Sequence, residues 1–267
     1  HDQSRIVSRW GAEGIHWDTS AKMLGMLYHF MRGTPFIYQG EEIGMTSWKF
    51  SKEEADDVEF HRFYHQLVDQ LKVSTHDEFM HAAHLVGRDT ARTPVQWSSE
   101  ENAGFTSGKP WLPVNTDFKK VNAESQEKDP KSVLSFYKKI VKTRKENDML
   151  IDGELEQIFE DKETIFGYKR FLKDSDEVFY AFFNFSSLFI EIKDSDEFNH
   201  KGSYEVVLSN VEGYKFDPSK IEVKPWMGVL LKSTKPEDHI VKPKKEKTKE
   251  QKIKEEKAEE EEEKEEA

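Results

Sequence analysis

The chain has 267 residues, of which 36% are hydrophobic, and its 6 Trp, 8 Tyr and 19 Phe are too many for a wholly disordered protein. The absence of cysteine excludes disulfides, thiol catalysis and cysteine-bound zinc. A net charge of −12 argues against a nucleic-acid partner, because phosphates are bound by Lys and Arg. No apolar stretch reaches about 18 residues, so the sequence predicts no membrane span.

A helix followed by a short strand is predicted near the start of the chain. Apolar residues recur at helical spacing over residues 20–31. A residue between Asp18 and Ser20 is expected to cap this helix, and Gly33 to end it. The apolar run 35–39, bounded by Pro and Gly, predicts a buried strand. This order of elements is typical of a parallel α/β sheet.

The middle of the chain, residues 40–129, is irregular apart from a helix predicted over residues 57–72. It is rich in Gly, Pro, Asn and Trp, and long ordered loops in compact domains are usually functional. A second clear helix is predicted to begin at Asp129 and Pro130, with Asp as the cap and Pro in the first position. We expect it to end near Asn147.

A change to period two after Ile151 predicts a small antiparallel β domain. Its predicted strands, separated by Asp-, Ser- and Gly-rich turns, are residues 164–172, 177–185, 204–208 and 226–231. From about Thr234 the apolar content collapses into a Lys/Glu-rich run, which is typical of a solvated, disordered tail. Boundaries near residues 150 and 234 therefore divide the chain into three parts.

Two polar motifs flank the predicted helix and strand. Residues 1–5, His-Asp-Gln-Ser-Arg, place an imidazole, a carboxylate and a guanidinium together. Such a cluster before a helix is more often a cap with its salt bridges than a catalytic centre. Residues 39–44, Gln-Gly-Glu-Glu-Ile-Gly, follow the predicted strand at the edge where barrel active sites lie. The alternative there is a structural turn whose carboxylates are solvated or paired with Arg.

A third motif, residues 87–97, carries two Arg, an Asp, a Gln and a Trp. Planar donors beside an aromatic face suit a sugar, because they bond its hydroxyls while the ring covers its C–H face. A self-bracing loop, with Arg held by Asp, is an equal alternative. His61 and His65 have the spacing of two metal ligands on a helix, but Arg62 stands where the zincin motif has Glu. No metal site is therefore predicted there.

Taken together, these motifs resemble glycoside hydrolase family 13, the α-amylase superfamily. Residues 1–11 resemble the last segment shared across that family, and residues 33–45 resemble its eighth barrel strand and the turn that follows. Residues 88–97 and 101–106 are similar to the oligo-1,6-glucosidase and α-glucosidase branch. The resemblance runs from residue 1 to about residue 232 and leaves out the tail.

The resemblance implies a (β/α)₈ TIM barrel followed by an antiparallel β-sandwich. Residues 1–150 would form the C-terminal part of the barrel, from the end of strand 7, and residues 151–233 the sandwich. Residues 234–267 would be the disordered Lys/Glu-rich tail. The chain begins with His rather than Met, and no apolar leader follows, so we expect it to be a fragment or a processed piece.

The resemblance also implies a retaining mechanism, in which one carboxylate attacks the anomeric carbon and another protonates the leaving oxygen. Asp2 matches a third carboxylate, which stabilises the transition state, and His1 matches its sugar-binding neighbour. Arg88 matches the residue that closes the pocket over the terminal glucose, which makes the action exo. Glu59 matches a carboxylate on the leaving-group side. The nucleophile and the acid belong to earlier strands, so the fragment alone is expected to be inactive.

The implied activity is that of an exo-acting α-glucosidase of the oligo-1,6-glucosidase type, acting on small oligosaccharides or disaccharides. The alternatives are a sugar isomerase or transglucosidase, a trehalose-6-phosphate hydrolase, and a non-catalytic scaffold like the heavy chains of amino-acid transporters. No cofactor or metal is expected in this segment, and a structural calcium is left open for the part ahead of it. We expect the intact protein to be a cytoplasmic monomer.

Overall fold

The computed structural model describes residues 1–193 and 195–233; the tail predicted at residues 234–267 lies outside the described residues. The helices are α1 (Ile6–Trp10), α2 (Trp17–Phe30), α3 (Val58–Tyr64), α4 (His76–Val86), α5 (Ala123–Glu127), α6 (Val133–Lys145) and α7 (Asp148–Asp152). The strands are β1 (Glu154–Ile158), β2 (Ile165–Phe171), β3 (Val178–Asn184), β4 (Ile190–Lys193), β5 (Glu205–Ser209), β6 (Lys220–Val223) and β7 (Gly228–Ser233). None of these helices is both long enough and apolar enough to span a bilayer.

The helix predicted at residues 20–31 is α2, and most of its residues are buried. It begins earlier than predicted, and no side chain caps its first turn. The hydroxyl of Ser20 instead bonds both backbone groups of Ala12, at 3.0 Å from its nitrogen and 2.8 Å from its oxygen. The predicted cap was therefore wrong, because the hydroxyl is used to fix the preceding loop.

Residues 35–38 have no regular secondary structure and Gln39 lies in a turn, so they do not form the predicted strand, and no strand of the described residues pairs with them. A strand is stabilised by the hydrogen bonds and side chains of its neighbours. Phe36 and Ile37 are accordingly 84% and 43% exposed, so the predicted burial was also wrong. The end of the segment is fixed by Arg5, whose Nη1 lies 2.9 Å from the carbonyl oxygen of Gln39.

The helix predicted at residues 57–72 is confirmed as α3 and the π-helical turn His65–Gln70 that follows it. The next helix, α4, is not among the predicted elements. Its start nevertheless carries a sequence signal, because Thr75 and Glu78 form a reciprocal capping box.

The helix predicted from Asp129 is α6, which begins later, at Val133, and ends close to the predicted position. Its cap is Ser132, whose hydroxyl accepts the backbone N–H of Ser135 at 3.1 Å. The carboxylate of Asp129 accepts the backbone N–H of Lys131 at 2.8 Å and so closes the preceding turn. The predicted cap was wrong because the chain makes this extra turn before the helix starts.

The strands form two antiparallel sheets. The larger has the order β1-β2-β3-β7-β5, and the smaller pairs β4 with β6. All four predicted strands are confirmed, as β2, β3, β5 and β7, whereas the short strands β1, β4 and β6 are not among the predictions. The central strand, β3, is buried on both faces. Phe179 and Phe183 pack with α2 and α6, and Tyr180 and Phe182 pack with the smaller sheet.

One hydrophobic cluster crosses the boundary predicted near residue 150. It joins Met23 and Phe30 of α2 and Ile140 of α6 to Phe183 and Leu230 of the larger sheet. The division of the chain at that residue stays a prediction. The shared core nevertheless means that the helices and the sheet support each other.

Two buried arginines tie the end of α2 to its surroundings. The guanidinium of Arg170, 0% exposed, donates to the carbonyl oxygens of Phe30, Leu150 and Gly153 at 2.7, 2.9 and 2.8 Å. Arg144 donates to the carbonyl oxygen of Gly33 at 2.7 Å. Burial lowers the pKa of both arginines, and the carbonyl dipoles at the helix C-terminus offset that cost.

Candidate active site

Asp89 fixes the loop that follows α4. It lies in the 3₁₀ turn Arg88–Thr90 and is 1% exposed. Its Oδ2 accepts the backbone N–H groups of Asp56 and Asp57, both at 2.8 Å. A buried carboxylate requires such donors, and these two bonds hold the loop against the start of α3.

Arg88 is held by the buried carboxylate of Asp57. Its Nε lies 2.6 Å from Oδ2, and its Nη2 donates to Oδ1, a two-bond pairing that fixes the guanidinium plane. Nη2 also lies 3.2 Å from Oε2 of Glu59. The hydrogen bonds from Arg88 lower the pKa of Asp57, which keeps this carboxylate charged. Nη1 forms an ion pair with Asp2 at 3.9 Å.

The first two residues lie against the same loop. Nη2 of Arg92 is 2.9 Å from Oδ1 of Asp2, and Nε of Arg92 is 3.0 Å from the carbonyl oxygen of His1. The imidazole of His1 lies 3.4 Å from the other carboxylate oxygen of Asp2. Both of these side chains are mostly exposed, so a ligand has access to them.

The structure thus brings together all four residues singled out from the sequence: His1, Asp2, Glu59 and Arg88. Their roles stay predictions. Two further residues complete the cluster: Asp57, which holds Arg88, and Arg92, which holds the first two residues. Arg92 lies in the motif at residues 87–97, but the spacing of residues along the chain does not predict that it pairs with Asp2.

The self-bracing alternative for the loop is partly realised. An arginine of the loop is held by an aspartate, but the aspartate is Asp57, the N-cap of α3, rather than Asp89. Asp89 faces Arg92 instead, at 3.8 Å between Oδ1 and Nη1. These contacts can therefore hold the loop and still leave room for a ligand, because the side chains of Asp2 and Glu59 stay exposed.

The turn at residues 39–44 borders a cavity of about 360 Å³, which is lined in part by His1, Arg5 and Tyr38. Both carboxylates of the turn bond its own backbone: Glu41 accepts the N–H of Tyr38 at 3.0 Å, and Glu42 accepts that of Gly40 at 2.8 Å. This supports the structural alternative for the turn. Glu41 also lines the cavity, and burial raises its pKa.

The histidine pair has other partners than a metal. His61 bonds the carbonyl oxygen of Ala55 at 2.8 Å, and His65 lies 3.3 Å from a carboxylate oxygen of Asp69. Within residues 1–193 and 195–233, no three His, Asp or Glu side chains are grouped to hold a metal ion.

Residues 1–153 match the family model described as the catalytic domain of alpha-amylase. The chain therefore belongs to the alpha-amylase family, glycoside hydrolase family 13, which confirms the resemblance drawn from its motifs.

Curated relatives extend this similarity beyond residue 153. The chain is 40% identical over 234 residues to the oligo-1,6-glucosidase of Parageobacillus thermoglucosidasius. This alignment covers 87% of this chain and 41% of that protein. It is 37% identical over 242 residues to the trehalose-6-phosphate hydrolase of Bacillus subtilis (strain 168), which covers 88% of this chain and 42% of that protein. The chain thus spans about two fifths of the length of the relatives it matches.

Solved structures match the fold as well. The trehalose-6-phosphate hydrolase of Bacillus licheniformis superposes with a TM-score of 0.80 at 37% identity, over 87% of this chain and 41% of that one. The isomaltulose synthase of Klebsiella sp. LX3 superposes with a TM-score of 0.80 at 32% identity, over the same shares. The chain therefore has the α/β fold with an antiparallel sheet found in this family.

Proposed function

We propose that this chain is the C-terminal part of a retaining, exo-acting α-glucosidase of the oligo-1,6-glucosidase type. In this proposal residues 1–150 complete a (β/α)₈ barrel and residues 151–233 form a β-sandwich. The exposure of Phe36 and Ile37 supports the barrel, because the residues of a barrel strand are covered only when the neighbouring strands are present. The packing of the smaller sheet on the larger supports the sandwich.

The observation that carries the proposal is the cluster formed by Asp2, Arg88 and Arg92. A glycosidase transition state resembles an oxocarbenium ion and is stabilised by hydrogen bonds to the ring hydroxyls that strengthen as it forms. Asp2 is fixed by Arg92 on one oxygen and remains 59% exposed, so it is available for such bonds. The nucleophile and the general acid are supplied by the part of the barrel that comes before this segment.

The exo mode rests on how Arg88 is held. Asp57 and Glu59 take Nε and Nη2, and Nη1, which is paired with Asp2 only at 3.9 Å, can donate its N–H groups to a sugar hydroxyl. A guanidinium fixed in this way binds the terminal hydroxyl of a non-reducing glucose and blocks the space beyond it. The substrates are therefore short oligosaccharides or disaccharides that are cleaved one glucose at a time.

The proposal also covers the location of the intact enzyme, its oligomeric state and the alternative functions. We place the intact enzyme in the cytoplasm as a monomer without a cofactor, a location compatible with the absence of cysteine. The non-catalytic scaffold is disfavoured because a scaffold has no need of an exposed, prepositioned His1 and Asp2. A sugar isomerase and a trehalose-6-phosphate hydrolase remain the rival activities, since an isomaltulose synthase and a trehalose-6-phosphate hydrolase are similar to this chain.

The experiment is a chimera. The part of the Parageobacillus thermoglucosidasius oligo-1,6-glucosidase that precedes its aligned region is joined to His1 of this chain. We expect the chimera to release glucose from isomaltose, and Asp2→Asn to lower kcat by several orders of magnitude. Asp69→Asn is the control, because that carboxylate is similarly exposed and contacts His65. A folded chimera without turnover, or near-normal turnover in Asp2→Asn, contradicts the proposal. Cleavage of trehalose 6-phosphate alone, or isomerisation of sucrose, favours the corresponding rival.

A further inference from the structure

Trp111 is a large aromatic side chain that is exposed and yet fixed in place. It is 65% exposed, and its indole Nε1 donates to Oδ2 of Asp56 at 2.6 Å. A lone exposed tryptophan is not unusual in itself. A hydrogen bond from its N–H to a carboxylate, however, limits the orientations of the ring while most of the side chain stays accessible.

The contact connects Trp111 to the cluster that holds Arg88. The backbone N–H of Asp56 donates to Oδ2 of Asp89, the same oxygen that accepts the N–H of Asp57. Asp57 in turn holds Arg88. The residue that anchors the indole is therefore the immediate neighbour of the residue that anchors the guanidinium, and one buried carboxylate oxygen supports both.

The chemistry around this indole suits a sugar ring. The apolar C–H face of a pyranose packs on an aromatic face, while polar groups at the edge bond its hydroxyls. Three residues from Asp56, the carboxylate of Glu59 is 51% exposed and offers acceptors beside Arg88. Rigid aromatic surface of this kind binds with little loss of conformational entropy.

We propose that Trp111 is the platform for a second glucosyl unit of the substrate, next to the terminal unit that Arg88 and Asp2 hold. This inference rests on the proposed function, because it takes the Arg88 cluster as the site of the terminal glucose. It adds a residue that selects oligosaccharides over monosaccharides. We assign no part in this selection to Trp97, which is 53% exposed but whose indole N–H, unlike that of Trp111, has no partner among the described residues.

The test measures sugar binding to this chain by saturation-transfer NMR, with methyl α-D-glucopyranoside and isomaltotriose as the two probes. We expect isomaltotriose to bind about five- to tenfold more tightly, a gain typical of one aromatic contact. Trp111→Ala removes this gain and leaves the binding of the monosaccharide unchanged. Trp111→Phe, which keeps a ring but loses the N–H anchor, retains part of the gain. Trp97→Ala, the matched control, retains all of it.

The outcomes separate the two proposals. If the monosaccharide binds in a manner that Arg88→Ala weakens, but isomaltotriose binds no more tightly, the inference fails and the proposed function stands. The inference also fails if the gain persists in a Trp111→Ala variant whose circular dichroism matches that of the parent. If neither sugar binds to this chain, the inference fails, whereas the proposed function is still decided by the turnover of the chimera.

Discussion

Arg92 donates a hydrogen bond to Asp2 across 90 positions of the chain, with 2.9 Å between Nη2 and Oδ1. The same guanidinium donates through Nε to the carbonyl oxygen of His1. Its third nitrogen, Nη1, lies 3.8 Å from the buried carboxylate of Asp89. Arg92 therefore links the exposed end of the site to its buried support, and the orientation of Asp2 depends on it.

The first prediction concerns Arg92→Gln in the chimera described above. We expect kcat to fall by about 10- to 100-fold, the usual loss when a group that orients a functional residue is removed. KM should change little, because Arg92 is proposed to act through Asp2 rather than on the substrate. Arg32→Gln is the control, since that arginine forms an exposed pair with Glu154. A rise in KM at constant kcat would show that Arg92 binds the substrate directly.

The second prediction concerns the stability of this chain in acid. Hydrogen bonds from Arg88 lower the pKa of Asp57 in the folded state, so the unfolded state takes up its proton first as the pH falls. The stabilisation by this pair is complete above the unfolded pKa, about 4. It is lost as the pH falls through the lower folded value.

Urea denaturation of the parent and of Asp57→Asn checks this expectation. The difference in unfolding free energy between them should be constant from pH 7 to pH 5 and shrink at pH 3 and below. Because the other titrating groups are common to both proteins, their contributions cancel in the difference. A difference that stays constant down to pH 2 would show that the pKa of Asp57 is the same in the folded and unfolded states, which contradicts the role given to Arg88.

The third prediction concerns Arg170. Arg170→Met removes the donor for the carbonyl oxygens of Phe30, Leu150 and Gly153, which are then buried without partners. We expect a loss of about 3 kcal/mol in the free energy of unfolding. Arg32→Met, at an exposed ion pair, should change it by less than about 0.5 kcal/mol. Equal effects of the two variants in urea denaturation would contradict the role given to Arg170.

The fourth prediction concerns the contact between α2 and α6. On helix propensity alone, Gly25→Ala should stabilise α2 by about 1 kcal/mol. An added Cβ would, however, lie 2.7 Å from Cε2 of Tyr137 on α6, and both residues are buried. We expect a net loss of about 1–3 kcal/mol from this overpacking. A double-mutant cycle with Tyr137→Leu is the control, because the smaller side chain should recover most of the loss.

Much of the fold, and the candidate site residues His1, Asp2, Glu59 and Arg88, could be predicted from the sequence. Period-two patterning predicts β2, β3, β5 and β7; most residues of β2, β3 and β7 are buried, and those of β5 after Glu205 are half-buried. The short strands β4 and β6 carry four residues each, too few for a clear pattern. Helix starts are less predictable, because Ser20 and Asp129 make other local hydrogen bonds than caps.

The sequence by itself determined the family, through the motifs at residues 1–11, 33–45 and 88–97, because its turns and polar residues stand at family-specific spacings. Only the tertiary structure decided which partners those residues take. Arg88 pairs with Asp57 and not with Asp89, whose Oδ2 accepts two backbone N–H groups, and Arg92 bonds Asp2 while its Nη1 faces Oδ1 of Asp89 at 3.8 Å. Charge pairing between distant segments depends on how the loops pack against each other. The spacing of residues along the chain does not predict that packing.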